Sequence, residues 1–246
     1  MIQKPLSATL PFLEHLEELR SRLWRVAAWY TALFSLCAWH AKDLFEILQA
    51  PLLDVLPPTS YFIATTAASG WIVYLRIALM GALLGIFPFG LFEFWHFVSP
   101  GLQAKERQLA WPLTFLMTVF FFGGLAFAYF LALPWTMAFL VSVYQGSQIH
   151  FLPQIEDYLS FSCMTLLGFG LLFELPFLVL MLTQSGLVAR TTLAKGRSYV
   201  YVLAFIIGAI LTPPDVASQI MMSVPFILLF ELGLLFGRFG NRPSSD

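Results

Sequence analysis

Apolar residues come in long runs along this chain, separated by short polar breaks, and the length of those runs decides the fold class. A helix needs about 20 mainly apolar residues to cross the hydrocarbon core of a bilayer. Six runs meet or approach that length: Leu23 to Ala41, Trp71 to Val98, Leu109 to Leu133, Leu159 to Thr183, Ser198 to Leu211 and Val216 to Gly237. The fifth is short, since about 14 residues at roughly 1.5 Å each reach about 21 Å against a core near 30 Å, so a thinned bilayer or a partner has to cover the difference. It ends at Thr212-Pro213-Pro214-Asp215, which reads as a turn, with Asp215 placed to cap the next helix. The expectation is an all-α, polytopic membrane protein of six transmembrane helices, one membrane domain over residues 1–246.

Polar segments between the runs have patterns of their own. Phe12, Leu16, Leu19 and Leu23 recur at helical spacing, which makes residues 1–22 an amphipathic N-terminus whose interfacial helix leads into the first span. Asp43 to Leu56 reads as a short amphipathic helix with Leu44, Ile47, Leu48 and Leu52 on one side, lying on the membrane surface and broken at Pro57-Pro58. A second long loop, Pro134 to Tyr158, is expected to pack over the helix ends as a cap. The first apolar run follows a stretch bearing Glu14, Glu17 and Glu18 and lacks a small-residue cleavage site, so it is expected to stay attached.

Charge sets the orientation, because Lys and Arg of short loops stay on the cytoplasmic side. Eleven of the thirteen basic residues fall on one face: Lys4, Arg20, Arg22 and Arg25, then Lys105 and Arg107, then Arg190, Lys195 and Arg197, then Arg238 and Arg242. The other face has Lys42, with Arg76 just inside the second span. Both termini are therefore expected in the cytoplasm.

Composition agrees with a lipid solvent: 59% of residues are hydrophobic and only 11% charged, against about 25% charged in soluble domains. A net charge of -1 offers no basic surface for nucleic acid. Cys37 and Cys163 are too few and too isolated for a disulfide framework or a zinc site. His15, His40, His96 and His150 never pair at ligand spacing, and no Gly-rich phosphate loop, Gly-x-Ser-x-Gly or His-Glu-x-x-His is present, so no metal, cofactor or catalytic constellation is expected. Gly81-xxx-Gly85 and Gly233-xxx-Gly237 read as helix packing.

Acid residues in or beside the membrane are the candidates for function. Glu174 lies nine residues before Thr183, about 14 Å from that end of its span. A carboxylate there costs at least about 2.5 to 3.5 kcal/mol, so it either faces a protein-lined or watery setting or is neutral and hydrogen-bonded to a neighbouring helix. Glu93 and Glu231 lie nearer helix ends and read as snorkelling to the interface. At the N-terminal end Glu14 and Glu18 present carboxylates on the cytoplasmic face, and Glu106 enters the same face beside Lys105 and Arg107. Such acids are either a binding surface or solvated partners of nearby bases.

Several stretches, in order along the chain, carry a family resemblance: His15-Leu16-Glu17-Glu18-Leu19-Arg20-Ser21-Arg22-Leu23, Phe94-Trp95-His96-Phe97-Val98-Ser99-Pro100-Gly101-Leu102 with Glu106-Arg107, and Ala126-Phe127-Ala128-Tyr129-Phe130. Tyr158-Leu159-Ser160-Phe161, Phe173-Glu174-Leu175-Pro176 and Leu211-Thr212-Pro213-Pro214-Asp215-Val216 continue it. On these residues the chain resembles the TatC family, the receptor subunit of the twin-arginine (Sec-independent) protein translocase. The resemblance implies a concave six-helix arrangement in a bacterial plasma (inner) membrane, working in an oligomeric receptor complex. It also implies folded cargo with twin-arginine signal peptides, single-span partners of the TatA and TatB type, and energy from the proton gradient. It further implies that Glu18 and Glu106 are the signal-binding acids, that Arg20 and Phe97 shape the same patch, that Glu174 lines the concave membrane face, and that Thr212 and Gln219 dock partners. Paired carboxylates independently suit a pair of guanidinium forks. A proton-coupled solute transporter would also use a membrane carboxylate, but repeated halves with matched broken helices are not found. An intramembrane enzyme lacks a visible nucleophile and base.

Overall fold

The computed structural model of the protein describes residues 10–56, 61–98, 104–144, 152–184, 188–212 and 216–240, with side chains described for 16–56, 61–97, 111–144, 152–184, 188–212 and 216–237. Its regular structure is helical: α1 (Leu10–Trp39), α2 (Ala41–Leu53), α3 (Ser69–Val98), α4 (Ala104–Phe127), a π turn (Ala128–Ala132), α5 (Leu133–Tyr144), α6 (Ile155–Leu172), α7 (Leu175–Gln184), α8 (Arg190–Lys195), α9 (Arg197–Leu211) and α10 (Val216–Gly240). Among the described residues the only β pairing is an isolated bridge between Ile63 and Gln154. Ser69–Phe97, Trp111–Tyr144, Ile155–Gln184 and Val216–Gly237 are each long and apolar enough to cross a membrane, and Arg197–Leu211 is a shorter apolar helix. This is a multi-pass membrane protein. At 15 residues α9 is as short as its apolar run implies.

The chain divides into two compact units, Met1–Ala41 with Tyr74–Thr118 and Lys42–Val73 with Val119–Asp246. In the first, α1 and α3 run antiparallel. The Trp29 and Phe89 rings lie 5.4 Å apart, and the Tyr30 hydroxyl donates to the Leu79 carbonyl at 3.2 Å. Phe92 meets Trp111 of α4 edge-on at 6.3 Å.

In the second unit α10 packs along α7 and α9. Val179, Phe230 and Leu234 form a buried core there, with Leu193, Val200 and Tyr201 against it. Gly233 permits a close approach of α10 to α7: a Cβ added to it would lie 2.9 Å from the Val179 Cβ and 3.0 Å from the Pro176 Cα. The small-residue reading of Gly233-xxx-Gly237 therefore corresponds to a real seam, since a Cβ on Gly237 would also stand 3.0 Å from the Thr183 hydroxyl.

Three expectations need correction. The Asp43–Leu56 helix forms as α2 but with shifted bounds, Ala41–Leu53, and it is docked against the chain: Leu52 is fully buried. The Tyr129 and Tyr158 hydroxyls donate to the carbonyls of Ile47 and Leu48 at 2.8 and 2.7 Å. The cause is local, because Pro51 has no N–H to give to the Ile47 carbonyl four residues back, and Tyr129 supplies the missing donor.

The second correction concerns the loop expected from Pro134, where helix instead continues to Tyr144. The preceding turn widens to π geometry, with the Leu133 N–H donating to the Ala128 carbonyl, at the point where Pro134 has no N–H to give. In the described last part of this loop, Ile63 N–H donates to the Pro153 carbonyl and Ile155 N–H to the Ile63 carbonyl, both at 3.1 Å, which stitches the two long connections together; residues 145–151 of the expected cap lie outside the described residues. The third correction is that the run Leu159 to Thr183 is not one helix. It breaks between α6 and α7 at Phe173-Glu174, since Pro176 cannot donate to the Leu172 carbonyl.

Candidate functional site

The first unit holds a charged cluster where α1 and α3 meet. Glu18 and Arg22 are four residues apart on α1 and face the same way, so the Arg22 Nε donates to the Glu18 carboxylate at 3.1 Å. Arg22 then reaches across to α3, giving Nη1 to Glu93 at 3.0 Å and Nη2 to the His96 carbonyl at 3.3 Å. Arg25, one turn further along α1, forms an ion pair with the other oxygen of Glu93, its Nη1 at 3.0 Å. Burial pushes the Arg22 guanidinium down, but its bonds to Glu18 and Glu93 outweigh this and hold it above its ordinary value, so it stays charged.

Glu93 is therefore not a snorkelling side chain. It is 5% exposed and held between two guanidiniums. A carboxylate with that little water is tolerable because both oxygens are paired. Sequence reading missed this role. The available signal was two arginines three apart on α1 and a lone acid near the end of α3.

The expected signal-binding residues all belong to this unit. Glu18 is half-buried, and its partner Arg22 ties it to the end of α3, where the half-buried Phe97 follows His96. Arg20 is exposed, but two residues along a helix it faces away from Glu18, so α1 does not bring them to one side. Glu106 lies in the first turn of α4, and its side chain falls outside the described residues.

The second unit holds the membrane candidates. Glu174 sits in the break between α6 and α7, its backbone carbonyl accepting from Phe177 and Leu178 at 3.1 and 3.0 Å. Its side chain is buried, and neither carboxylate oxygen has a hydrogen-bond partner among the described residues. The reading in which Glu174 bonds to a neighbouring helix thus finds no donor there. Thr212 and Gln219, by contrast, bond within the chain: the Thr212 hydroxyl donates to the Gly208 carbonyl at 2.8 Å and the Gln219 amide to the Phe205 carbonyl at 2.9 Å.

Cys37 and Cys163 form no disulfide. Among the described residues no group of His, Cys, Asp and Glu is arranged to hold a metal ion.

With this arrangement known, comparison with characterised proteins decides the family. The family described as Sec-independent protein translocase protein (TatC) matches residues 14–225. This chain belongs to the TatC family. TatC of Halothiobacillus neapolitanus is 41% identical over 228 residues, 93% of this chain and 62% of that longer protein. TatC of Escherichia coli K12 is 37% identical over 232 residues, covering 94% of this chain and 89% of that one. A crystal structure of the twin-arginine translocase receptor TatC superposes with a TM-score of 0.83 at 32% identity, covering 93% of this chain and all of that one. TatC membership makes the chain a subunit of a protein translocase, a transport component rather than an enzyme. The match includes both the α1–α3 ion cluster and the Glu174 break.

Proposed function

We propose that this chain is the signal-peptide receptor and core subunit of a twin-arginine translocase that exports folded proteins across a bacterial inner membrane, driven by the proton gradient. Glu18 and Glu106 take the two arginines of the signal, and Phe97 at the end of α3 completes the patch, while Arg20 on the opposite side of α1 lies outside it. Six spans place both termini in the cytoplasm, α1 and α9 joining the four longer apolar stretches, and the basic residues on that face support this orientation. The observation that carries the reading is the setting of Glu18: a half-buried carboxylate held by Arg22 against the end of α3. It is already oriented toward a guanidinium. An incoming arginine exchanges with Arg22 or shares the carboxylate, at little cost in ordering.

Glu174 has a separate role in this reading. A buried carboxylate without a donor among the described residues suits a polar group from a single-span partner of the TatA or TatB type, and Thr212 and Gln219 extend that docking surface. The receptor works as an oligomeric complex with these partners.

The test is a photo-crosslinking amino acid placed at position 106 or at position 18 of the full chain in membranes. Capture of a twin-arginine signal peptide, and much weaker capture of a twin-lysine version, is the expected result. A solute transporter or an intramembrane hydrolase predicts no capture from either position.

A further inference from the structure

At one end of α8, α9 and α10 lies a cavity of about 440 Å³ that signal recognition does not use, lined by Arg190, Arg197, Glu231 and leucines of α10. Its charges do not cancel. Glu231 is satisfied by Arg197, whose Nη2 donates to one oxygen and whose Nε stands in ion-pair contact with the other, at 2.8 Å each, and by the Tyr201 hydroxyl at 2.7 Å. Arg190 is held in place by its Nε, which donates to the Leu234 carbonyl at 3.0 Å. Among the described residues its two Nη groups have no partner. Two guanidiniums against one carboxylate leave one positive charge in the cavity.

The rest of the wall is apolar and continues into the membrane. Leu228, Leu232 and Leu235 are all exposed and recur at helical spacing, so they line one face of α10 over about 10 Å. They run from Arg190, beside Leu234 near one end of the span Val216–Gly237, toward its middle. A surplus guanidinium beside lipid-facing leucines is costly unless an anion meets it. An anion that also offers an apolar chain meets both surfaces at once.

We propose that this cavity binds an anionic phospholipid, with the headgroup phosphodiester on the Nη groups of Arg190 beside Arg197, and one acyl chain along Leu228, Leu232 and Leu235. A phosphodiester offers two oxygens to the planar guanidinium fork, and basic pockets between helices at the membrane interface suit such headgroups. The site needs the chain to lie in a bilayer but does not depend on signal recognition.

The test uses the full chain in nanodiscs containing phosphatidylglycerol or phosphatidylcholine with a photoactivatable acyl chain. Labelling is mapped to the segment 228–235. Phosphatidylglycerol should label it about tenfold more than phosphatidylcholine at equal mole fraction, and Arg190→Gln should reduce that labelling about tenfold. Leu232→Trp leaves both arginines in place and should block labelling in protein that still elutes as a folded species, which covers the case of an Arg190→Gln variant that does not fold. Millimolar inorganic phosphate should not compete. Equal labelling by both lipids, unchanged labelling in Arg190→Gln or in Leu232→Trp, or full competition by inorganic phosphate would each overturn the proposal, the last by making this a site for a free anion.

Discussion

Replacing Glu93 by Gln should be among the more damaging single substitutions in the first unit, although the side chain touches no expected ligand. The glutamine keeps the shape but leaves Arg22, whose side chain is 14% exposed, with only Glu18 as an ionic partner. Removing one member of a buried pair costs about 3 to 5 kcal/mol when both charges lack water. Arg25 is 52% exposed, so its pairing with Glu93 is screened by solvent and is worth at most about 1 kcal/mol. Most of the effect therefore falls on the Arg22 side, at about 2 to 4 kcal/mol. For a chain of this size that is about 4 to 16 °C in Tm, readable by thermal unfolding of the detergent-purified protein. Two companion variants separate the contributions: Arg22→Gln should cost nearly as much as Glu93→Gln, and Arg25→Gln less than about 1 kcal/mol. Equal losses for Arg22→Gln and Arg25→Gln, or no loss for Glu93→Gln, would show that burial does not control the strength of this cluster.

Gly233→Ala should destabilise the α7–α10 seam by about 1 to 3 kcal/mol, because the new methyl would meet Val179 and the Pro176 backbone at about 3 Å; thermal unfolding with Gly70→Ala, which meets nothing, as the control checks this. Glu174→Ala should leave the folded protein stable, since no donor in the described chain is orphaned, while impairing export or partner assembly, and Glu174→Gln should be milder; full export activity in the alanine variant would show that this acid is merely tolerated. Reporter tags at positions 1, 104, 192 and after 246 should be cytoplasmic and tags near 57 and 148 on the opposite side, and a cytoplasmic tag at 148 would contradict six spans.

Run length and charge made the membrane class and the positions of most spans legible, because crossing a bilayer requires long apolar helices whatever their partners. α9 came out within a residue of its expected start. What sequence concealed were backbone accommodations. Pro134 and Pro176 are alike in the sequence, but the first lies within a continuous helix behind a π turn while the second ends one helix and starts another beside Glu174. Which outcome follows depends on the packing that satisfies the freed carbonyl, as Tyr129 does for Ile47. The charged residues were less legible than the apolar ones for a related reason. Glu18 was readable as an exposed acid at helical spacing, but the pairing of Glu93 with Arg22 and Arg25 joins residues about 70 positions apart, as the 71-residue separation of the Arg22 bond illustrates. No local spacing rule reaches that far.

The central claim is that Glu18 and Glu106 together read an arginine pair, and affinity for a labelled signal peptide tests it most directly. The detergent-purified wild type is compared with Glu18→Ala, Glu106→Ala and the double variant. A charged hydrogen bond contributes about 1.5 to 3 kcal/mol, so each single variant should bind about ten- to a hundred-fold more weakly. The Glu18 loss should fall near the lower figure, because the wild-type carboxylate must first be shared with Arg22. Abundance and membrane insertion should stay near normal in all three. Unchanged affinity in the double variant would contradict the account and leave these acids as partners of the chain's own arginines and lysines.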